Sequence, residues 1–370
     1  MSHATEEYKA LYILNKMINT TSLGIEIDFL PVGEGSRSAD TIAIRYGDIV
    51  SGDRSQQKVI IIDGGTKESG LALIEHIKKF YHTNVVDLVI MTHPDMDHCS
   101  GLTEILESLT VRQLWMHQPW NHSADIRRHF SDGRMTNNSL ERQIRVALDA
   151  AHQVEELALE KGIVIIEPFA GLKSEDGIIT VLGPNKEYYQ SLIPDFRSTP
   201  DSVASKTLNF FKKAIQTITE AFDLSDEKLP GDDTSAENNS SAILLLQLDN
   251  QKFLFTGDAG VPALEKANSY ASLIGVHLNN LNFIQIPHHG SKKNVNSNIL
   301  NLVKSDVAFI SAAKDGAPKH PSQRVINALI RRNTKVCVTQ GNSICFRHNV
   351  SARNGWGPAD QASFMTSYEE

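Results

Sequence analysis

Cysteine is scarce. Cys99, Cys337 and Cys345 are the three in 370 residues, too few and odd in number for a disulfide framework, and reduced thiols fit a cytoplasmic setting. Long apolar runs are lacking too: none approaches the roughly 20 residues that span a bilayer. Glu6 and Glu7 stand where a secretory leader is basic. A cytoplasmic protein with no membrane role is therefore expected. Positive charge is not in excess, because the net charge of -8 argues against the broad basic footprint that holds duplex DNA regardless of sequence. A local basic rim stays compatible with it. Repeats and low-complexity tracts are absent, and the softest stretches, 202–208 and 225–241, bracket an insertion.

The remainder is globular in balance, 41% hydrophobic and 22% charged, which excludes wholesale disorder. The length admits two domains or one large α/β domain with insertions. Short β-branched runs at 25–30, 41–46, 58–63 and 87–91 read as strands, with Leu71, Ile74, Ile77 and Tyr81 at helical spacing between the last two. A second batch follows Asn239: AILLLQL, KFLFTGD, NFIQIP, DVAFISA and VCVTQGNSICF, the last predicting a hairpin that turns at Gly341 and Asn342. Leu140, Ile144, Ala147, Ala151, Val154 and Ala158 line one face of a helix within 139–162. Leu208, Phe211, Ile215, Ile218 and Phe222 describe an amphipathic helix over 203–224, which packs on its own protein or offers a lid, partner or homo-oligomer contact. Tyr8, Leu11, Leu14 and Met17 repeat that spacing near the N-terminus.

The chemistry begins where DLVIM runs into THPDMDHCSG, which gathers His93, Asp95, Asp97 and His98 within six positions. A strand leading straight into such a loop aims imidazoles and carboxylates at one point, the requirement for holding a metal. A solvated acidic turn is the plainer alternative. Two further strands weigh against it: FLFTGD ends in Asp258, a carboxylate able to bridge two ions, and NFIQIP ends beside His288 and His289.

That order of motifs, HxDxDH, then TGD, then HHGS, resembles the metallo-β-lactamase fold superfamily over most of residues 25–347. Within it, FLPVGEGS before IIIDGG, ENNSSAILLL, PHHGSKKN and KHPS are similar to the hydrolase domain of ComEC-type competence proteins and its stand-alone relatives. The resemblance implies an α/β fold, an αββα four-layer sandwich with a helical insertion. The expected organisation is a helical segment at 1–24, a hydrolase domain at 25–350 with an insertion near 196–237, and a tail at 351–370. It also implies two divalent metal ions, zinc or manganese: His93 and Asp95 on one, Asp97 and His98 on the other, Asp258 between them, and His288 on the second. His289 is the alternative ligand, or faces a substrate phosphate. Asp95 stands where many relatives have histidine, and none of His117, His122, His129 or His152 lies in the Gly-His context of their mid-chain ligand. Asn239 falls in that region instead and could approach the first metal. An oxygen-rich first site shifts preference toward manganese, although zinc tolerates it.

The resemblance further places Ser291, Lys292, Lys293, Lys319 and His320 around the site, the last facing the cleft as a catalytic group; ordinary solvated surface is the alternative for the lysines. Trp115, His117 and Trp120 line a groove or pack in the core; Cys99 is a redox sensor or a buried thiol; Glu34 in GEGS borders the cleft. The expected activity is a metal-dependent phosphodiesterase or nuclease acting on nucleic acid or nucleotides, with stand-alone relatives found in prokaryotic defence. Hydrolysis of a small ester, thioester or lactam is the alternative within the fold, and a metal-braced partner-binding module the alternative outside catalysis.

Overall fold

The computed structural model describes residues 23–31, 38–130, 134–197, 217–222, 227–229, 231, 234–314 and 320–369. The N-terminal segment, Glu34, Lys319 and most of the 203–224 helix expected above lie outside them.

Alternation along the strands sets the layers. In β1 (Gly24–Phe29), β2 (Thr41–Gly47) and β3 (Gln57–Gly64), Ile25, Ile27, Ile42, Ile44, Ile60 and Ile62 point to one face. Ala43, Val59 and Ile61 point to the other. The chain continues through β4 (Val85–Val86), β5 (Leu88–Ile90), β6 (Thr110–Val111), β7 (Gln113–Trp115) and β8 (Val164–Ile166). The second batch comprises β9 (Ile179–Gly183), β10 (Thr217–Thr219), β11 (Ile243–Leu248), β12 (Gln251–Phe255), β13 (Leu281–Gln285), β14 (Ser305–Ile310) and β15 (Lys335–Val338), followed by β16 (Ile344–His348) and β17 (Ser367–Glu369). A seven-stranded sheet runs β16-β1-β2-β3-β5-β7-β8 and a six-stranded sheet β15-β14-β13-β12-β11-β9.

Three cores fix the stacking. The core holding Phe29, Trp115, Phe253, Phe283 and Phe309 lies between the sheets. A second covers the outer face of the first sheet with helices Lys67–His76, Leu102–Ser108 and Asp149–Glu160. The third covers the outer face of the second sheet with helices Val261–Leu273, Ser297–Leu302 and Gln323–Arg331. The molecule is thus an αββα sandwich.

Three sequence expectations need correction. Strands β15 and β16 are not a hairpin: β15 pairs with β14 in one sheet and β16 with β1 in the other, so Gly341, at φ 90°, turns the chain across the sandwich. The 139–162 helix is two, Asn137–Ala147 and Asp149–Glu160, because Leu148 leaves helical geometry at φ -112° and ψ 43°. The amphipathic helix over 203–224 does not reach its C-terminal end, since Thr217–Thr219 is a strand paired antiparallel with β17. Residues 351–369 strap the sandwich: Arg353 bonds Asp28 on β1, Ala362 N donates to Val336 on β15, and β17 closes on β10.

Strands β3, β5, β7 and β8 are mutually parallel, as are β12, β13, β14 and β15. Their C-terminal ends therefore share an edge, where ligands gather in open α/β sheets.

Candidate metal centre

Asp63, at the end of β3, organises the first half of the centre. Its backbone is left-handed at φ 56°, which turns the carboxylate back toward β5. Oδ1 accepts from Thr92 N at 2.7 Å, and Oδ2 accepts from Thr92 Oγ1 at 2.6 Å and from His98 Nδ1 at 2.7 Å. Because His98 Nδ1 is thereby the protonated nitrogen, Nε2 is left bare, 3.4 Å from Asp258 Oδ1. His93 Nε2 lies 3.8 Å from both Asp95 Oδ2 and Asp258 Oδ2. The short helix Met96–Cys99 carries Asp97 and His98 one turn beyond Asp95.

The second sheet supplies the other half. Gln285 Oε1 accepts from Thr256 N and Gly257 N, fixing the turn that ends in Asp258, whose own N–H donates to Ser241 Oγ. His288 and His289 both adopt left-handed backbone, at φ 48° and 55°, so the consecutive side chains diverge. His288 Nδ1 lies 2.9 Å from Asn294 Oδ1 and 3.2 Å from Asn238 Nδ2, and its Nε2 lies 3.7 Å from Asp258 Oδ2. His289 Nδ1 donates to Ser311 O at 3.1 Å, leaving Nε2 3.8 Å from Asp97 Oδ2.

Two clusters result, with one Asp258 oxygen toward each. His93 and His288 approach Oδ2, with Asp95 beside His93, and His98 meets Oδ1; His93, His98 and Asp258 form one group able to hold a metal ion, and Asp97, His98 and His289 another. The division differs from the sequence expectation at one point: His289, not His288, stands with Asp97 and His98, because the left-handed turn swings it onto that side. His288 occupies the first side, where the mid-chain histidine is missing.

The donor set fits divalent cations. His93 Nε2, His98 Nε2, His289 Nε2 and Asp258 Oδ1 are buried and lack any hydrogen-bond partner. Each such atom costs about 1–3 kcal/mol when left bare, so four converging atoms point to a ligand. The electrostatics agree. Burial would raise Asp258, yet His98, His288 and His289 outweigh it and hold the carboxyl well below its usual range. Burial would lower His98 and His289, but Asp258, with Asp63 for the first and Asp97 for the second, pulls both upward. His93 is lowered by burial and by His98. Asp258 thus stays ionised, and cations at the centre would displace any proton that His98 and His289 hold on Nε2.

His320 borders this centre as expected, its ring 5.6 Å from that of His288 and 6.4 Å from that of His289. Burial, then His288 and His289, push it down to about 4, so it is neutral near pH 7. Ser291 is buried beside His288, its hydroxyl accepting from Lys293 N; Lys292 is half-buried and Lys293 exposed. Asn239 does not reach His288, the contact belonging to its neighbour Asn238; Asn239 Oδ1 is buried without a partner. Trp115, His117 and Trp120 are core residues and line no groove. Cys99 is buried, which pushes its thiol up to about 12 and leaves it unreactive.

Several positioning groups were not foreseen: Asp63, Asn294, Asn238, Gln285, Asp40 and Arg197. Asp40 accepts from Gln285 and lies 3.9 Å from His289 Nδ1; burial, with a contribution from Asp258, raises it to about 6. Arg197 Nη2 donates to Asp95 Oδ2 at 2.6 Å. Only Asp63 had a sequence signal, as the last polar residue of an apolar strand run.

Residues 54–164 match the family model described as the metallo-beta-lactamase superfamily. ComE operon protein 3 of Bacillus subtilis is 30% identical over 118 residues, 31% of this chain and 14% of that protein. Recombination protein 2 of Haemophilus influenzae is 31% identical over 103 residues, 28% of this chain and 12% of that protein. The chain thus aligns with about an eighth of the length of these relatives. Among solved structures, the metallo-beta-lactamase fold protein YhfI of Bacillus subtilis aligns at 9% identity and TM-score 0.40, covering 87% of this chain and 99% of the other. β3, β5 and the His93–His98 loop lie inside this matched segment, so residues 54–164 match the metallo-beta-lactamase superfamily within an αββα sandwich of two sheets packed between helical layers.

Proposed function

We propose that this chain is a dinuclear metal-dependent phosphodiesterase acting on nucleic acid or nucleotides. The observation that carries this reading is the gathering of four bare buried donor atoms, one of them on Asp258, with Arg197 bonded to neighbouring Asp95 and His320 beside His288. His93, Asp95, Asp258 and His288 would hold one divalent ion, zinc or manganese, and Asp97, His98, Asp258 and His289 the second. Bound there, such ions would supply a water activated for attack at neutral pH and polarise the bond it attacks.

The remaining work belongs to the side chains. Asp63 and the Ser311 carbonyl each hold an imidazole N–H, so that His98 and His289 present their lone pairs inward. Neutral His320 has an N–H to donate to a non-bridging or leaving oxygen without carrying a charge of its own. The guanidinium of Arg197 and the ammonium of half-buried Lys292 favour an anionic substrate over a neutral ester. One relative is by its name a recombination protein, which agrees with a nucleic-acid substrate. Among the described residues no helix is long and apolar enough to cross a membrane.

The test is metal analysis coupled to assays of single-stranded DNA, RNA, a chromogenic phosphodiester and a neutral ester, each with manganese and with zinc. The reading requires phosphodiester turnover that Asp258→Ala abolishes together with binding of both ions. Turnover of the neutral ester alone would transfer the site to the small-ester chemistry of the same fold.

A further inference from the structure

Arg197 is the one described arginine that touches a residue of the first cluster, and its setting is more elaborate than a rim ion pair requires. Its side chain is 57% exposed, and exposed ion pairs contribute little to stability. Even so, it is pinned twice from behind. Glu237, with a side chain only 2% exposed, accepts from Arg197 backbone N–H and lies 3.3 Å from Nε, so one buried carboxylate fixes both the main chain and the root of the guanidinium. Nη2 then reaches forward to Asp95 at 2.6 Å. Two carboxylates thus orient the guanidinium, through Nε and Nη2, beside the first cluster.

The groups of the first cluster form a chain of near neighbours. From Arg197 Nη2 it passes to Asp95 Oδ2 at 2.6 Å and to His93 Nε2 at a further 3.8 Å. It continues to Asp258 Oδ2 at 3.8 Å and His288 Nε2 at 3.7 Å, and ends at the His320 ring, 5.6 Å from that of His288. A cation held by Asp95 draws on the same carboxylate charge that Arg197 neutralises, so the guanidinium becomes less compensated when the centre is loaded. A planar fork of N–H donors with that surplus charge matches the oxygens of a phosphate better than any neutral group.

We propose that Arg197 is the residue that grips the non-bridging oxygens of the substrate phosphate, with His320 at the other end of this chain of neighbours. The proposal rests on the phosphodiesterase reading above. It makes Arg197 a specificity determinant whose positioning residue is Glu237, and gives the segment leading into the insertion a task at the site.

The experiment is a binding measurement, independent of turnover. The full-length chain, loaded with manganese and freed of excess metal, is titrated with inorganic phosphate as wild type, Arg197→Ala, Arg197→Lys and Glu237→Gln, with metal content measured on each. Arg197→Ala is expected to weaken phosphate about tenfold or more, the usual scale for a lost hydrogen bond between charged groups. Arg197→Lys recovers only part of the loss, and metal content stays at the wild-type value. Glu237→Gln keeps the guanidinium but loosens its anchor, so it weakens phosphate by a smaller factor and decides the matter should Arg197→Ala fail to fold. Unchanged affinity in the variants, no phosphate binding by the wild type, or loss of metal in step with loss of phosphate overturns the proposal, the last reducing Arg197 to a support for Asp95. Arg197-dependent phosphate binding by a wild type that cleaves no phosphodiester sustains this inference while removing the proposed activity.

Discussion

Asp63 decides which nitrogen of His98 is free, and the site's chemistry depends on that choice. With Nδ1 committed to the carboxylate at 2.7 Å, only Nε2 faces Asp258. Asp63→Asn keeps the shape but removes the charge that favours this arrangement, and outer partners of this kind are worth about 10- to 100-fold in metal affinity. Chelator competition should show that loss confined to one of two ions, and undiminished affinity for both would mean that His98 is oriented without Asp63. His320 is the converse case: it borders the centre through ring contacts with His288 and His289 and has a buried, unpartnered Nδ1. His320→Ala should keep both ions and reduce turnover by roughly 10²- to 10³-fold, the range of a lost hydrogen-bond donor to a developing oxyanion. Loss of an ion in this variant would make His320 a ligand.

At the scale of elements, the His93–His98 loop is held by backbone packing as much as by side chains. Gly101, which caps helix Leu102–Ser108, lies so close to the end of β3 that a Cβ there would stand 2.1 Å from Gly64 O and 2.5 Å from Thr66 O. Main-chain atoms cannot swing aside, so Gly101→Ala should cost about 1–3 kcal/mol in urea unfolding, as overpacking does. It should also lower metal content, because it separates Asp63 from His98; normal stability and stoichiometry would show that the contact yields. This contact was invisible in the sequence, whereas the strands themselves were plain because apolar β-branched runs end in Gly or polar residues. Pairing was not plain. The Gly341 turn is the same signal whether two strands form a hairpin or part company into different sheets, and β10 finds its partner β17 about 150 residues away in the chain.

For the whole molecule, what was legible was the order of ligand-type residues at strand ends, since each motif is local. Asp40, Arg197 and Asn294 could not be read this way, because they acquire meaning only when folding brings them beside His289, Asp95 and His288. WMHQPW is a different case: its aromatic and imidazole side chains fit a groove or the core equally well in sequence, and they are sealed inside. That burial has a cost that depends on pH. His117 packs its ring on Tyr189 at 4.2 Å, both ring nitrogens lack hydrogen-bond partners, and burial pushes it from 6.5 down to about 3. Between those values the unfolded chain binds a proton that the folded chain refuses, so this residue's contribution to stability is fully present above pH 6.5 and is lost as the pH falls through the window. From pH 7 to pH 5 the loss is about 2 kcal/mol, a figure set by the unfolded value alone so long as folded His117 stays neutral at pH 5. His117→Leu removes the titrating group, while every metal ligand titrates as before. Urea unfolding of the two proteins at pH 7 and pH 5 should therefore show the variant losing about 2 kcal/mol less than the wild type. Parallel losses would mean that His117 takes up its proton in the folded state, with Glu167 Oε1, 4.0 Å from Nδ1, as its counter-charge.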